Sequence, residues 1–261
     1  MATEWNAAEY RRLSEPQLQW GRQVLAQLEL RGDERVLDAG CGAGRVTAEL
    51  LERLPRGRVV ALDLSFNMVA TAQPALAPRF AERVLCAQAD LLALPLRASV
   101  DVVFSTAVFH WVRDHDRLFG EIFAALRPGG RLVAQCGGGP NLKLLRDRAL
   151  TIMREPRFAG FFRDWHEPWE YPDDHTTAGR LRHAGFVDIE TSLHPALTAL
   201  PNAGDFREFE RTVTLHRHLA QLPDAALREE MLDRLTESYA ADSPPFTLDY
   251  WRLNLRARKP H

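Results

Sequence analysis

Val36-Leu37-Asp38-Ala39-Gly40-Cys41-Gly42-Ala43-Gly44-Arg45 opens as a short apolar run and then breaks into glycines at three alternate positions. Such a run marks a buried strand. Beyond it, Val46, Leu50, Leu51 and Leu54 recur at helical spacing. A strand, a glycine turn and a helix start make one ligand-binding edge. Glycines there accept positive φ and let a ligand lie against the main chain. The helix N-terminus favours negative charge such as a carboxylate.

The spacing of the glycines separates two kinds of ligand. Dinucleotide-binding loops read G-x-G-x-x-G, with the third glycine set by close helix–strand packing. Here the pattern is G-x-G-x-G, and that third position is Arg45. Together with Asp38 the stretch resembles motif I of the class I S-adenosylmethionine (SAM) methyltransferases, D-x-G-x-G-x-G, matching at Asp38, Gly40, Gly42 and Gly44. The resemblance implies that this loop holds the methionine half of SAM and that Asp38 orients its amino group. S-adenosylhomocysteine would be the product.

The following segments extend the match. Arg58-Val59-Val60-Ala61-Leu62 reads as a second strand closed by Asp63, placed to accept hydrogen bonds from ribose hydroxyls. That signal serves nicotinamide cofactors and SAM alike. Ser65 is a predicted N-cap, and the resemblance puts Leu64 and Met68 against adenine, although Met68 also reads as core packing. A third strand, Arg83 to Gln88, leads to Asp90-Leu91, which resembles the motif whose aspartate meets the adenine amino group; a solvated loop aspartate is the other reading. A fourth strand, Val100 to Ser105, opens into Thr106-Ala107-Val108-Phe109-His110-Trp111. Asp114 then caps a helix through Leu126, stopped at Pro128-Gly129-Gly130 before a strand from Arg131 to Cys136.

Strand–helix alternation over 35–136 predicts five parallel strands in a doubly wound sheet. Ligands in such sheets lie at the carboxyl ends of the strands, where the strand order switches. Gly40, Asp63, Asp90 and Ser105 all fall at predicted strand ends and so converge on one cleft. A helix over Thr177–Ala184 and a strand over Phe186–Leu193 follow. Tyr250 to Arg258 alternates as a last strand, antiparallel if the resemblance holds. The expected fold is α/β: a Rossmann-like, doubly wound seven-stranded sheet with the last strand antiparallel, plus a helical cap. Residues 1–30 are expected as a helical leader over the cofactor cleft and 31–140 as the SAM-binding core. Segments 141–176 and 200–246 would form the cap, and 177–199 and 247–261 the last two strands. In the leader, Pro16 can start a helix, and Tyr10, ahead of Trp5, is the candidate cofactor contact.

The cap holds six basic residues between Lys143 and Arg163, followed by Phe158, Phe161, Phe162, Trp165, Trp169 and Tyr171. They read either as a lid for an anionic acceptor or as a partly solvated helix with an aromatic core face. Helices are predicted over Gly204–Leu222 and Ala225–Tyr239. His216 and His218, two apart, point to different faces. No H-E-x-x-H or paired C-x-x-C pattern occurs, and no metal is expected.

Phe109-His110-Trp111-Val112-x-Asp114 and a leader beginning Trp5-Asn6 resemble small-molecule enzymes of the trans-aconitate and malonyl-carrier-protein methyltransferase group, which put glutamine where this chain has His110. The implied reaction is in-line methyl transfer to a small-molecule acceptor such as a carboxylic acid, accelerated mainly by proximity and orientation. His110 is the one histidine placed to serve as a base, with Phe109 and Trp111 as substrate contacts or a water-excluding rim. Two alternatives stay open: a non-catalytic SAM-binding module and a nicotinamide-dependent oxidoreductase. Composition sets the outer bounds. The 261 residues carry a net charge of −2 and 46 % hydrophobic residues, which gives no pull toward nucleic acid. No stretch reaches membrane-spanning length, and three cysteines without metal spacing fit a reducing cytoplasm. A monomer or homodimer is expected.

Overall fold

A computed structural model describes residues 4–5 and 7–261 of the chain; Asn6 of the leader resemblance lies outside the described residues. The leader is two helices, α1 (Ala7–Leu13) and α2 (Glu15–Ala26), the second with Pro16 in its first turn. Strand β1 (Arg35–Ala39) leads through the glycine turn into α3 (Arg45–Glu52). Then come β2 (Arg58–Asp63), α4 (Phe66–Phe80), β3 (Val84–Gln88), β4 (Val100–Thr106), α5 (His115–Ala125) and β5 (Leu126–Gly137). Ser65 and Asp114 cap α4 and α5 as expected, accepting from the Met68 and Arg117 amides.

The remaining elements are α6 (Lys143–Met153), α7 (Asp174–His183), β6 (Val187–Pro195), α8 (Ala203–Phe209), α9 (His216–Leu219), α10 (Ala225–Ala240) and β7 (Trp251–Arg258). The single helix expected over Gly204–Leu222 is broken: α8 passes into a π-helical turn at Glu210–Thr214 before α9. An extra residue per turn there swings Thr214 toward the interior, a distortion often found beside binding sites.

The sheet order is β3-β2-β1-β4-β5-β7-β6, with β7 antiparallel to both neighbours. This is the seven-stranded arrangement the sequence predicted. Strand alternation divides the core between two faces. Val36, Val59, Val102 and Phe104 meet α2, α3 and α4 on one side. Leu37, Val103, Leu132 and Leu255 meet α5 and α7 on the other. Both faces being covered explains why the strands read as unbroken apolar runs. A further cluster, built from α6, α8 and α10 around Phe206, Phe209 and Tyr239, forms the cap.

The order reverses between β1 and β4, and their carboxyl ends open the cleft. Gly40 sits there with φ +86, and a Cβ on it would fall 2.1 Å from Cγ2 of Val108 in the loop after β4. Gly40→Ala is therefore expected to destabilise the fold, the left-handed backbone alone costing about 1–3 kcal/mol. A fall in Tm together with lost cofactor affinity in calorimetry would show it. Gly44, φ +81, is tight against Ala72 and Leu76 of α4; it serves helix packing rather than the ligand surface.

Candidate functional site

Three connected cavities meet at the switch point, and Tyr10 lines all of them. The largest is bounded by Gly40, Gly42, Asp63, Leu64, Met68, Asp90, Leu91 and Trp111, and holds roughly 910 Å³ of non-protein space. A smaller one beside it reaches Asp38 and the inner face of the glycine turn. Most predicted cofactor residues are thus brought together: Tyr10, Asp38, Gly40, Gly42, Asp63, Leu64, Met68, Asp90 and Leu91. A Cβ on Gly42 would meet nothing within 4 Å, so bare main chain faces open space there, as a close-lying ligand requires.

The local wiring follows from the sequence. Asp63, at the end of β2, accepts from the Gly42 amide at 2.9 Å and from the Ser65 amide at 2.9 Å, bracing the glycine turn against the start of α4. Burial raises its pKa. Asp38 is almost wholly enclosed and accepts a 2.6 Å hydrogen bond from the Thr47 hydroxyl. Burial pushes its carboxyl up to about 7 against that bond, helped by the nearby Asp63 charge. The leader is tied over the cleft: Glu4 accepts from the Ser65 hydroxyl at 2.7 Å and from the Phe66 and Asn67 amides, both at 3.2 Å. That contact sets the Trp5 ring 5.2 Å from Tyr10 and 5.3 Å from Trp111.

Three expected contacts are not brought to the cleft. Ser105 is buried and turned away from the cleft, its hydroxyl donating to the Ala39 carbonyl at 2.7 Å, which ties β4 to β1. The neighbouring Thr106 and Ala107, the latter at φ +60, line the cavities instead. Ser105→Ala is expected to cost about 1 kcal/mol of stability with S-adenosylhomocysteine affinity unchanged, measurable by denaturant melts and titration. Phe109 is not a substrate contact either: its ring packs 6.1 Å from Phe119 inside the sheet core. Gly44, as above, does not face the ligand space.

The third cavity, deeper under the cap, is walled by Trp111, Trp169, Tyr171 and Tyr250, with His110, Asn141, Thr214 and Arg252 as polar groups. His110 is 8 % exposed, and its Nδ1 accepts from the Gly137 amide at 3.2 Å. Burial, then the Arg252 and His115 charges, hold its pKa well below the ordinary value. It is a neutral imidazole whose proton resides on Nε2. Arg252 is 4 % exposed. Its guanidinium lies 4.3 Å over the Trp20 ring and donates through Nε to Gln135 at 3.3 Å, while its Nη2 has no hydrogen-bond partner. No described carboxylate pairs with it.

Sequence reading missed Arg252 because period-two alternation assigns it a side of β7 but not a neighbour. The basic stretch suspected as an anion lid is divided: Arg154, Arg157 and Arg163 are exposed, while Arg146 lies half-buried 5.4 Å over the Tyr171 ring with its Nε unpartnered. Arg148 pairs with Asp242 at 2.7 Å and Lys143 with Asp147, while Phe158, Phe162 and Trp169 go into the cap core. His216 and His218 do diverge: His216 stacks 4.0 Å from Trp5, and His218 lies 4.6 Å from Trp165.

Comparison with known proteins places these features. Residues 37–134 match the family model described as a methyltransferase domain. A trans-aconitate 2-methyltransferase of Azoarcus sp. is 37 % identical over 55 % of this chain, and the chain spans only 56 % of that relative's length. A trans-aconitate 2-methyltransferase of Paracidovorax citrulli is 36 % identical over 197 residues, covering 74 % of this chain and 68 % of the relative. Among solved structures, Haemonchus contortus phosphoethanolamine N-methyltransferase 2 superposes with a TM-score of 0.64 at 20 % identity, over 98 % of this chain and 57 % of that one. With the motif residues gathered at the switch point of a 3-2-1-4-5-7-6 sheet, the chain belongs to the class I SAM-dependent methyltransferases.

Proposed function

We propose that this chain methylates a small carboxylic acid, and Arg252 carries the reading. A guanidinium buried without a carboxylate is costly unless an anionic ligand completes it, and guanidinium–carboxylate pairing is bidentate and charge-assisted. Because Arg252 lines the chamber beside the glycine loop's cleft, an acid held there would stand next to the methyl donor. The relatives named trans-aconitate methyltransferases support an acid as the acceptor class.

The residues at hand fit the cofactor: acidic strand ends at Asp63 and Asp90 suit ribose and adenine, and Leu64, Met68 and Leu91 flank the base site. When bound, SAM supplies a sulfonium methyl that the acceptor carboxylate oxygen takes, the C–S electron pair staying on sulfur with no proton moved. A carboxylate is ionised at neutral pH and needs no general base. His110 therefore works as a donor, its Nε2–H orienting the acid while Nδ1 stays occupied by Gly137. Trp5 and Trp111 exclude water, and alignment supplies the acceleration. Three free cysteines suit a cytoplasmic setting.

Calorimetric titration with S-adenosylhomocysteine, with NADH and NADPH as controls, tests the cofactor; incubation with methyl-labelled SAM and carboxylic acids tests the reaction. Tight binding of the homocysteine compound and base-labile labelled esters are expected. Nicotinamide binding, or cofactor binding without label transfer to any acid, would overturn the reading.

A further inference from the structure

We propose that Thr214 donates a hydrogen bond to the acceptor's carboxylate, and that Glu210 behind it is a positioning residue that keeps the hydroxyl hydrogen free for the chamber. The inference rests on the carboxylic-acid reading above and adds a donor to it from the cap.

The π-helical turn is the first ground. It sets Glu210 and Thr214 four residues apart with their side chains in contact, the Thr214 hydroxyl against Oε2 of the carboxyl. Thr214 lines the chamber together with Arg252 and His110, whereas the wholly buried Glu210 lies outside the lining. Oε1 of Glu210 has no hydrogen-bond partner. An ionised carboxylate in that place would be stripped of water with no counter-charge, so the neutral acid is the resident form. Burial pushes the carboxyl up to about 8, against the Thr214 bond. The groups around it supply no cation. Tyr239 of α10 and Tyr250 ahead of β7 are phenols raised by burial first and by the Glu210 charge next. Arg148, over the Tyr239 ring, is spent on Asp242. From α1 come Tyr10 and the surface pair Glu9–Arg12. Arg211 on the turn itself pairs with Glu208 and Glu229. In α9, His216 stacks on Trp5, Arg217 lies over Trp111, and His218 meets Glu167.

The direction of one hydrogen is the second ground. A neutral Glu210 donates its O–H to the Thr214 oxygen. The Thr214 hydrogen then needs another acceptor, and the protein offers only the Glu210 carbonyl at 3.4 Å, a long contact. A carboxylate in the chamber is the better one, since its two oxygens accept at about four lone-pair sites. Arg252 brings its unpartnered Nη2 and His110 its Nε2–H, and Thr214 adds a donor from the cap. Loss of the Glu210 proton turns the bond around. Thr214 then donates to Glu210, its lone pairs face the ligand, and a buried negative charge stands behind them. Both changes repel an anionic acceptor.

The test uses the purified chain with methyl-labelled SAM held saturating, which removes the Asp38 titration from the profile. The acceptor is whichever of trans-aconitate, fumarate, citrate and benzoate is labelled fastest. Its KM is expected to stay level up to about pH 8 and to rise about tenfold per unit above it, with kcat little changed. Glu210→Gln, whose amide N–H replaces the acid proton, should keep the low KM at neutral pH and abolish the rise. Thr214→Val should raise KM at neutral pH by about tenfold or more, Thr214→Ser should restore it, and S-adenosylhomocysteine affinity should hold in all three. A parent KM that ignores pH would overturn the inference without any variant having to fold. A rise that persists in Glu210→Gln, or a Thr214→Val variant with the parent's KM, would do the same; each leaves carboxyl methylation intact. Label transfer to none of the acids, with S-adenosylhomocysteine still bound, would sink the underlying reading and this inference with it.

Discussion

Replacing Arg252 by methionine is expected to lower kcat/KM for carboxylic acid acceptors by about 100- to 3000-fold while raising the melting temperature of the ligand-free protein. Both effects come from one feature, a guanidinium that is 4 % exposed and has no carboxylate partner. With the acceptor bound, the substitution leaves a buried carboxylate unpaired, and breaking such a pair costs about 3–5 kcal/mol. In the ligand-free chain the balance reverses. The side chain holds a 3.3 Å bond to Gln135 and a contact over Trp20, and these do not repay the dehydration of a full charge. Methionine fills a similar volume without charge, so a gain of about 2–4 °C is expected. Opposite signs in stability and activity are the pattern of a site held strained for function. Calorimetry, which should show S-adenosylhomocysteine affinity unchanged, separates loss of the acceptor from loss of the cofactor. A variant that lost activity and melted lower would identify Arg252 as structural.

The second large effect concerns Asp38 and pH. Burial pushes this carboxyl up to about 7, opposed by the Thr47 hydroxyl and assisted by Asp63. If it receives the amino group of the cofactor, binding requires the carboxylate, so a proton must leave whenever the free protein holds one. Affinity for S-adenosylhomocysteine is then expected to be flat above pH 7 and to fall about tenfold per unit below it. Stability of the free protein runs the other way. Between the unfolded value of 3.8 and the folded value of about 7 the native state binds the extra proton, so stability declines as pH rises through that window and levels off above it. Asp38→Asn should flatten the affinity profile, remove the Asp38 share of the stability slope while leaving that of the buried Glu210 carboxyl, and weaken binding by about 10- to 150-fold, the worth of a charge-assisted hydrogen bond. Titrations and melts from pH 5 to 8 measure the two slopes. An affinity that ignores pH in the parent protein would remove Asp38 from contact with the amino group.

The cofactor half of the site was legible in the sequence because its chemistry is local. A strand must end before it can present a loop, so Asp38, Asp63 and Asp90 announce their positions by following or closing apolar runs. The glycine turn announces its own backbone, since φ of +86 and +53 at Gly40 and Gly42 suits no other residue well. Where local reading failed, a side chain had two possible faces. Ser105 reads as the close of its strand, which runs one residue further to Thr106; its hydroxyl points at the Ala39 carbonyl and leaves the ligand space to Thr106. Phe109 belongs to the right loop, but the 3-10 turn at Phe109–Trp111 carries it into the sheet core while Trp111 faces the cavities.

From sequence alone came the doubly wound sheet and the ligand edge at the carboxyl ends of its strands, because hydrophobic periodicity and glycine spacing act over a few neighbouring residues; the order of the strands came from the tertiary structure. The chamber under the cap was decided by tertiary structure. Its walls come from the leader, the loop after β4, the cap and β7, and no local pattern couples Trp5 to Thr214 or Tyr171 to Arg252. Arg252 is one of four polar residues on one face of an alternating strand, together with Asn254, Arg256 and Arg258. Only the insertion of β7 between β5 and β6, with Gly137 and His194 as the register partners of Arg252, buries that one charge with its Nη2 unpartnered.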